Sequence, residues 1–434
     1  MKTMLETKIR NKKAKIAVLG LGYVGLPLAV NFAKAGFQVF GLDKDTDRVS
    51  RVAGKKSYIA DISTRQLADV VSSGKLTALT DFRILKEADV VIICVPTPLK
   101  RKYTPDVSYI TSAVKELKKY LKKDTLVVME STTYPGTTRE LIRPELEKSG
   151  MKAGRDFFLA FSPERIDPGN KIYNVTSIPK VVGGLTPLCT RLTASLYKKI
   201  IKEVHVVSSP EAAEMTKLLE NSFRIINIGW INEVAMMCHA LGIDIWEVIG
   251  AAKTKPFGFM PFYPGLGVGG HCIPDDPLYL YWKAKRYGFS SKYIKLSADT
   301  NFNMPSYVIT RIADALKAKK KPLSSAKILV VGVTYKKDVK DLRKSPSLRL
   351  IGLLQDCVKQ VDYTDPLIPY LEIFDIHQKV SVELTPAQVK RYDCVIIATD
   401  HSRIDYDLIA RHARMIFDTR NVYSKTVGPK VHRL

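Results

Sequence analysis

Cys272 lies in the run Pro264-Gly265-Leu266-Gly267-Val268-Gly269-Gly270-His271-Cys272-Ile273-Pro274-Asp275-Asp276, where four glycines precede a polarisable nucleophile and a carboxylate follows four residues later. A thiolate attacks electrophilic carbon well, and glycine backbone lets a substrate come close, so the run suits covalent catalysis. The bland alternative is a cysteine buried as a small apolar side chain.

A second constellation opens the chain. The apolar run Lys15–Leu19 leads into Gly20-Leu21-Gly22-Tyr23-Val24-Gly25 and then a helical pattern. In such a turn the first glycine bends the chain, the second lets a pyrophosphate touch backbone, and the third lets helix pack on strand. The phosphates then rest on the helix N-terminus. The next strand, Gln38–Leu42, ends at Asp43, placed to accept from a ribose 2′-hydroxyl and to repel a 2′-phosphate. NAD is therefore expected as cofactor rather than NADP.

The elements that must carry these residues follow from periodicity. Apolar runs at Lys15–Leu19, Gln38–Leu42, Val90–Val95, Thr125–Glu130, Phe157–Phe161 and Lys180–Gly183 alternate with helical patterns, which argues a parallel sheet covered by helices. Polar residues and prolines stand at two strand ends, Val95-Pro96-Thr97-Pro98 and Glu130–Gly136, where open α/β sheets bind ligands. From Ser209-Pro210-Glu211 a helix is expected through about Leu241, capped by serine with proline in its first turn. A helix of ~31 residues spans ~46 Å, so it is expected to bridge two domains. A second βαβ region begins at Ala326–Val331, with further strands expected at Lys359–Tyr363, Cys394–Ala398 and Met415–Asp418. Its first turn carries Lys336, Lys337, Asp338 and Arg343 in place of three glycines, a composition suited to another phosphate-bearing ligand or to facing the first domain's cofactor. The fold class expected is α/β, with two Rossmann-like doubly wound parallel-sheet domains joined by a long central helix and a helical middle domain. The boundaries expected are 1–208, 209–318 and 319–434, with Lys317–Ser325 a short basic linker.

Composition narrows the class. The 434 residues, 46% of them hydrophobic, are enough for two or three domains. No run approaches the roughly 18 apolar residues of a membrane span, and the N-terminus lacks the apolar core of a signal peptide, so a cytoplasmic enzyme is expected. The six cysteines are scattered and mostly sit in apolar runs; neither a disulfide framework nor a metal site is expected. The net charge of +25 is spread over helix-like segments such as Val114–Lys123 with no nucleic-acid motif beside it. That pattern suits a solvated face and a field attractive to anionic nucleotides, not a nucleic-acid partner.

Taken together, the motifs resemble the nucleotide-sugar 6-dehydrogenases, the UDP-glucose and UDP-N-acetylhexosamine dehydrogenases. The likeness runs in order through Gly20–Pro27, Val95–Pro98, Glu130–Thr138, Phe161–Arg165, Lys217–Asn221, Gly265–Pro277 and Gly332–Pro346. It implies that a sugar C6 alcohol is oxidised to a carboxylate while two NAD are reduced, through an aldehyde and a cysteine thioester that water releases. Cys272 then matches the nucleophile and Asp276 the carboxylate of the water-dependent steps. Lys217 and Asn221 match the pair that holds oxyanions, while Glu164 and Thr133 position groups and water. The resemblance assigns Gly20, Gly22, Tyr23, Val24, Gly25, Asp43, Pro96, Thr97, Thr133 and Arg343 to the cofactor. It assigns Glu164, Arg165, Lys217, Asn221, Tyr263, Gly265, Gly269 and Lys336 to the substrate. It also implies NAD in the first domain, UDP largely on the last and the sugar C6 between them.

Residue chemistry supports part of this and leaves alternatives open. Lys217 and Asn221 are i and i+4 on one helix face, able to stabilise developing negative charge or simply to form a solvated face. Glu164 could equally serve a turn, and Asp276 could cap a helix starting near Pro277. Thr133 carries no signal by itself. The Gly-Gly-His-Cys-Ile-Pro form at Gly269–Pro274 resembles the N-acetylhexosamine branch more than the glucose branch, and the phrases Glu130–Thr138 and Phe161–Gly169 resemble UDP-N-acetylglucosamine 6-dehydrogenases; UDP-N-acetylmannosamine and UDP-glucose are the alternatives. Two stretches depart from the family pattern. Asp275 stands where an aliphatic residue is usual, and Asp341-Leu342-Arg343-Lys344-Ser345-Pro346 departs from the usual Asp-Thr-Arg-Glu-Ser-Pro, with Arg343 retained. Outside the family, a two-electron hydroxyacid-type dehydrogenase would not need Cys272, and an NAD-binding regulator would bind without turnover. Ile225, Ile226, Ile228, Trp230, Ile231, Val234 and Met237 are too many apolar residues for one narrow stripe, so a homodimer through the long helix is expected.

Overall fold

The computed structural model describes residues 3–59, 61–100, 103–167, 173, 175–373, 376–424 and 428–434. The Pro168-Gly169 end of one motif above lies outside them. The chain divides into two compact units, Met1–Glu220 with Trp282–Gly288, and Asn221–Tyr281 with Phe289–Leu434.

The first unit is built on eight strands: β1 Lys15–Leu19, β2 Gln38–Leu42, β3 Leu76–Leu79, β4 Val90–Ile93, β5 Leu126–Met129, β6 Phe158–Phe161, β7 Lys180–Gly184 and β8 Val204–Val206. Their order is β3-β2-β1-β4-β5-β6-β7-β8. Side chains alternate between two separate cores: Ile16, Val18, Val90 and Ile92 face one, and Ala17, Leu19, Val91 and Ile93 the other. Both faces are covered, so the strands read as unbroken apolar runs. Each fully buried aliphatic side chain contributes about 2 kcal/mol. The expectation of an all-parallel sheet needs one correction: β7 runs antiparallel to β6. Edge strands β3 and β8 escape a hydrophobicity reading because they are partly exposed.

In the second unit, β9 Lys327–Val331, β10 Gln360–Thr364, β13 Cys394–Ile397, β14 Ile416–Asp418 and β15 Val431–Arg433 form a parallel sheet ordered β10-β9-β13-β14-β15. A separate hairpin pairs β11 Tyr370–Ile373 with β12 Ile376–Val380. Again the faces alternate: Ile328 and Val330 enter one core, Leu329 and Val331 another. The helix Lys292–Ala318 packs Met304, Val308, Ile312 and Leu316, one turn apart each, into the first of these cores. It runs to Ala318, so the connection to β9 is shorter than the linker expected from sequence.

The long helix is Pro210–Leu241, 32 residues, as its cap and periodicity predict. The helix after the glycine-rich run differs from expectation. It starts at Cys272 and ends at Lys285, with Pro277 inside it, so Asp276 lies within the first turns and is not the cap of a helix starting near Pro277.

Candidate active site

The turn after β1 has the shape that a dinucleotide pyrophosphate needs. Gly20 takes φ +95°, and a Cβ on Gly25 would lie 1.8 Å from the Gly20 carbonyl oxygen, so neither position accepts a side chain. A Cβ on Gly22 would meet nothing within 4 Å; its bareness serves no packing and leaves a cradle. Val24 caps the helix Gly25–Lys34 and supplies no side-chain hydrogen bond, leaving the N-terminal N–H groups for an anion. Tyr23 is exposed beside it. Asp43 ends β2, where Oδ2 accepts from the Leu21 N–H (2.8 Å) and Oδ1 from the Asp45 N–H (3.0 Å). Oδ1 keeps a second acceptor site that a ribose hydroxyl could use. Arg48 approaches Asp43 Oδ2 at 3.3 Å.

Strands β1 and β4 are neighbours from which the sheet runs in opposite connection order, and ligands settle at such a switch. Beyond β4, Pro96 is exposed and Thr97 buried. Beyond β5, Thr133 Oγ1 is buried with no hydrogen-bond partner among the described residues, as suits a hydroxyl awaiting a bound molecule. These features fit NAD.

Glu164 follows β6. Its Oε1 accepts from the Arg165 and Ile166 N–H groups (2.6 and 2.7 Å), so the local turn role is real, but Oε2 accepts from Lys180 Nζ at 3.1 Å. The buried Lys180 also donates to Glu130 at 2.8 Å, and Tyr197 donates its hydroxyl to Glu130. Burial opposes the Lys180 ammonium, yet Glu130 and Glu164 outweigh it and hold its pKa above the usual lysine range. Arg165 pairs with Glu220 at 2.6 Å and donates to the Pro179 carbonyl.

On the long helix, Lys217 and Asn221 are both buried, so their face is not a solvated one. Lys217 makes no ion pair among the described residues. The Asn221 amide donates to Asp276 Oδ2 at 2.5 Å. Cys272 is exposed at the first residue of its helix, which excludes the buried-hydrophobe alternative, and Asp276 stands one turn on along the same face. A helix start leaves N–H groups without intrahelical partners and favours an anion, so a thiolate gains there. The other cysteines are buried or, for Cys357, half-buried, and none is in a disulfide.

The glycines ahead of Cys272 do a different job from that expected. A Cβ on Gly267 would lie 2.3 Å from the Asn301 carbonyl oxygen, and one on Gly269 2.5 Å from Tyr335 Cβ. They let the loop press against its own unit. The Gly265 N–H donates to Asn232 Oδ1 (2.9 Å), and Asn232 in turn donates to Asn301 (2.9 Å). Tyr263 is exposed and stacks on Trp246. Lys336 and Arg343 sit in the loop after β9, with Arg343 bidentate on Asp341.

Three family models cover this chain: the UDP-glucose/GDP-mannose dehydrogenase family NAD binding domain at residues 14–201, its central domain at 211–303 and its UDP binding domain at 329–425. The chain belongs to the UDP-glucose/GDP-mannose dehydrogenase family. It is 37% identical to a UDP-N-acetyl-D-glucosamine 6-dehydrogenase of Pseudomonas aeruginosa, across 90% of this chain and 91% of the relative. It is 35% identical to a UDP-N-acetyl-D-mannosamine dehydrogenase of Pyrococcus horikoshii, across 94% and 96%. The solved UDP-D-ManNAc dehydrogenase of Pyrococcus horikoshii superposes with a TM-score of 0.88 at 33% identity, covering 96% of this chain and 98% of that one. An NDP-N-acetyl-D-galactosaminuronic acid dehydrogenase from Methanosarcina mazei Go1 gives 0.83 at 29% identity, covering 100% and 98%. The protein is thus an NAD-dependent oxidoreductase of the UDP-sugar dehydrogenase family. Among the described residues no helix is long and apolar enough to cross a membrane, and no His, Cys, Asp or Glu cluster could hold a metal.

Sequence reading of this family member passed over several residues. Glu214, one turn before Lys217, is buried and accepts from the Gly136 N–H (2.6 Å), the Thr138 N–H (2.9 Å) and the Thr138 hydroxyl (2.7 Å), tethering the segment that follows Thr133. Burial pushes its carboxyl up to about 7, against those hydrogen bonds. Lys180 opens an otherwise apolar strand, a signal that could have been noticed. Arg420, just past β14, donates to the Ala398 carbonyl at 2.7 Å, and a Cβ on Gly265 would lie 3.1 Å from its Nη1. Burial holds its pKa below the usual arginine range, against the nearby Asp400 and Asp418 carboxylates. Its Asp418-Thr419-Arg420-Asn421 run at a strand end was the available cue.

Proposed function

We propose that this chain oxidises the C6 alcohol of UDP-N-acetylglucosamine to the uronic acid through a thioester on Cys272. The observation that carries the reading is the exposed thiol at a helix start with Asp276, held by Asn221, one turn away. NAD serves as electron acceptor for both two-electron oxidations. Cys272 Sγ adds to the C6 aldehyde carbon, and the resulting hemithioacetal is oxidised to the thioester. Water then displaces the sulfur, giving the acid and restoring the thiol. The buried Lys217 ammonium and the Asn221 amide would stabilise the oxyanions of addition and hydrolysis. Asp276, Glu164 and Thr133 would orient the water and its protons. Lys336, Arg165, Tyr263, Gly265 and Gly269 would meet the substrate, and Tyr23, Val24, Pro96, Thr97 and Arg343 the cofactor. In this reading 1–208, 209–318 and 319–434 are the NAD-binding, helical and UDP-binding domains.

UDP-N-acetylmannosamine is the second reading, supported by the name of the Pyrococcus horikoshii relative and its TM-score of 0.88. A substrate panel followed by NADH absorbance separates the epimers. The preferred sugar should yield NADH and acid at two to one, and a ratio of one to one would overturn the thioester route. Cys272→Ser should lower acid formation by about a thousandfold or more, since an alkoxide is far harder to generate than a thiolate.

The proposal includes a homodimer through the long helix. Phe223, Trp230 and Met237, spaced by seven residues, and Leu241 leave an apolar stripe exposed along it. Light scattering should show twice the chain mass; a species of single chain mass would remove this part. A cytoplasmic enzyme supplying a nucleotide-linked uronic acid for polysaccharide synthesis is the corresponding setting.

A further inference from the structure

We infer that Lys344 is a positioning residue for Cys272: by cancelling the buried charge of Asp275 it keeps the helix start able to hold a thiolate. The inference rests on the reading of Cys272 as nucleophile.

Asp275 is three residues past Cys272, in the first turn of the same helix, and is 2% exposed. A buried carboxylate there opposes the field that the helix start offers a thiolate. Its Oδ1 is paired with the Lys344 ammonium. Other groups stand nearby. His271 Nε2 lies 3.9 Å from Asp275 Oδ2, and burial holds its pKa below the usual histidine range. Arg343 pairs with Asp341 at 2.6 Å. The adjacent Asp276 takes the Asn221 amide. Lys344 is the ammonium in direct contact with Asp275.

The loop is also shaped around the contact. Lys344 adopts φ +48°, a left-handed conformation that non-glycine residues hold only when their surroundings impose it. The Gly270 N–H donates to the Arg343 carbonyl at 2.8 Å, and a Cβ on Gly269 would lie 2.9 Å from the Lys344 carbonyl oxygen. Backbone and ion pair therefore fix one loop to the other on both sides of Cys272.

The test is the rate of Cys272 alkylation by iodoacetamide across pH, read by mass spectrometry of the Cys272 peptide in the full-length protein. Lys344→Met should move the midpoint up by about one pH unit, slowing alkylation at pH 7 by about tenfold. Lys344→Met with Asp275→Val should restore the original profile, and Lys344→Arg should keep it. Should Lys344→Met fold poorly, Asp275→Asn provides the reverse arm, with the midpoint expected to fall. An unmoved midpoint in Lys344→Met with NAD affinity intact, or a rise in Asp275→Asn, would overturn the inference. Alkylation needs no sugar, so these outcomes are distinct from Cys272→Ser retaining acid formation, which would instead sink the catalytic reading.

Discussion

The turns after β1 and β9 are the same backbone device put to opposite uses. Gly20 and Gly332 both take positive φ, +95° and +84°. Both are followed by an N–H that donates to an aspartate ending the neighbouring strand, Leu21 to Asp43 at 2.8 Å and Val333 to Asp365 at 2.7 Å. There the likeness stops. Past Gly20 the helix begins at Gly25 with Gly22 facing open space, whereas past Gly332 the chain wanders through Tyr335 and Lys336 before a helix starts at Pro346. Asp365 is sealed by His401, whose Nε2 lies 3.1 Å from Oδ2, and by the Leu367 and Ile368 N–H groups. Asp43 Oδ1 has one donor and room for another, whereas Asp365 is enclosed by the fold. A Rossmann-like turn therefore binds a dinucleotide only when the residues after it leave the helix start and the acid accessible.

That contrast can be broken most severely at the sealed aspartate. Asp365→Asn puts an amide N–H against existing donors and should cost about 4 kcal/mol in denaturant unfolding, with NAD affinity unchanged. Asp43→Asn also sets an amide N–H against a backbone donor and should cost stability too, but unlike Asp365→Asn it should weaken NAD. If both variants lose NAD alike, the two turns are not functionally different.

The tether of the segment after β5 is expected to titrate. The Glu214 carboxyl is raised from the ordinary 4.5 to about 7 by burial, so the folded chain holds a proton that the unfolded chain releases. Its contribution is complete below about pH 4.5 and is lost as pH rises through 7, an effect of about 3 kcal/mol. Nearby charges are Glu211 and Arg139, themselves paired at 2.6 Å. The melting temperature of the native chain should fall from pH 5 to 8 more steeply than that of Glu214→Gln; parallel curves would contradict this assignment. The smallest effect is expected at Gly22→Ala. No protein atom stands where its Cβ would go, so thermal stability should hold while the NAD dissociation constant rises by about tenfold. Unchanged NAD binding would mean that the cradle is not where the pyrophosphate rests.

Much of this architecture was legible because its signals are local. Strand runs such as Val90–Ile93 are apolar at every position, and the cap at Ser209-Pro210 precedes a helix that the structure carries to Leu241. The helix start at Cys272 was missed for a physical reason. Proline favours a first turn, which pointed to Pro277, yet the helix starts at Cys272, where the Arg343 carbonyl and the Lys344 ammonium, both distant in sequence, meet Gly270 and Asp275. Edge strands β3 and β8 were missed because half of their surface faces water and lacks the apolar signature.

Residue types and spacing in the chain by themselves determined the two largely parallel sheets, the glycine-rich turn after β1, the long helix and the glycine-framed cysteine run. Tertiary structure alone decided that Cys272 is exposed at a helix start, that Asn221 holds Asp276 and that Lys180 joins Glu130 to Glu164. It alone brought Lys344 to Asp275 across 69 residues of chain. Periodicity is set by neighbours within a few positions, whereas the partner of a buried charge is set by whichever distant side chain the packed sheets deliver to it.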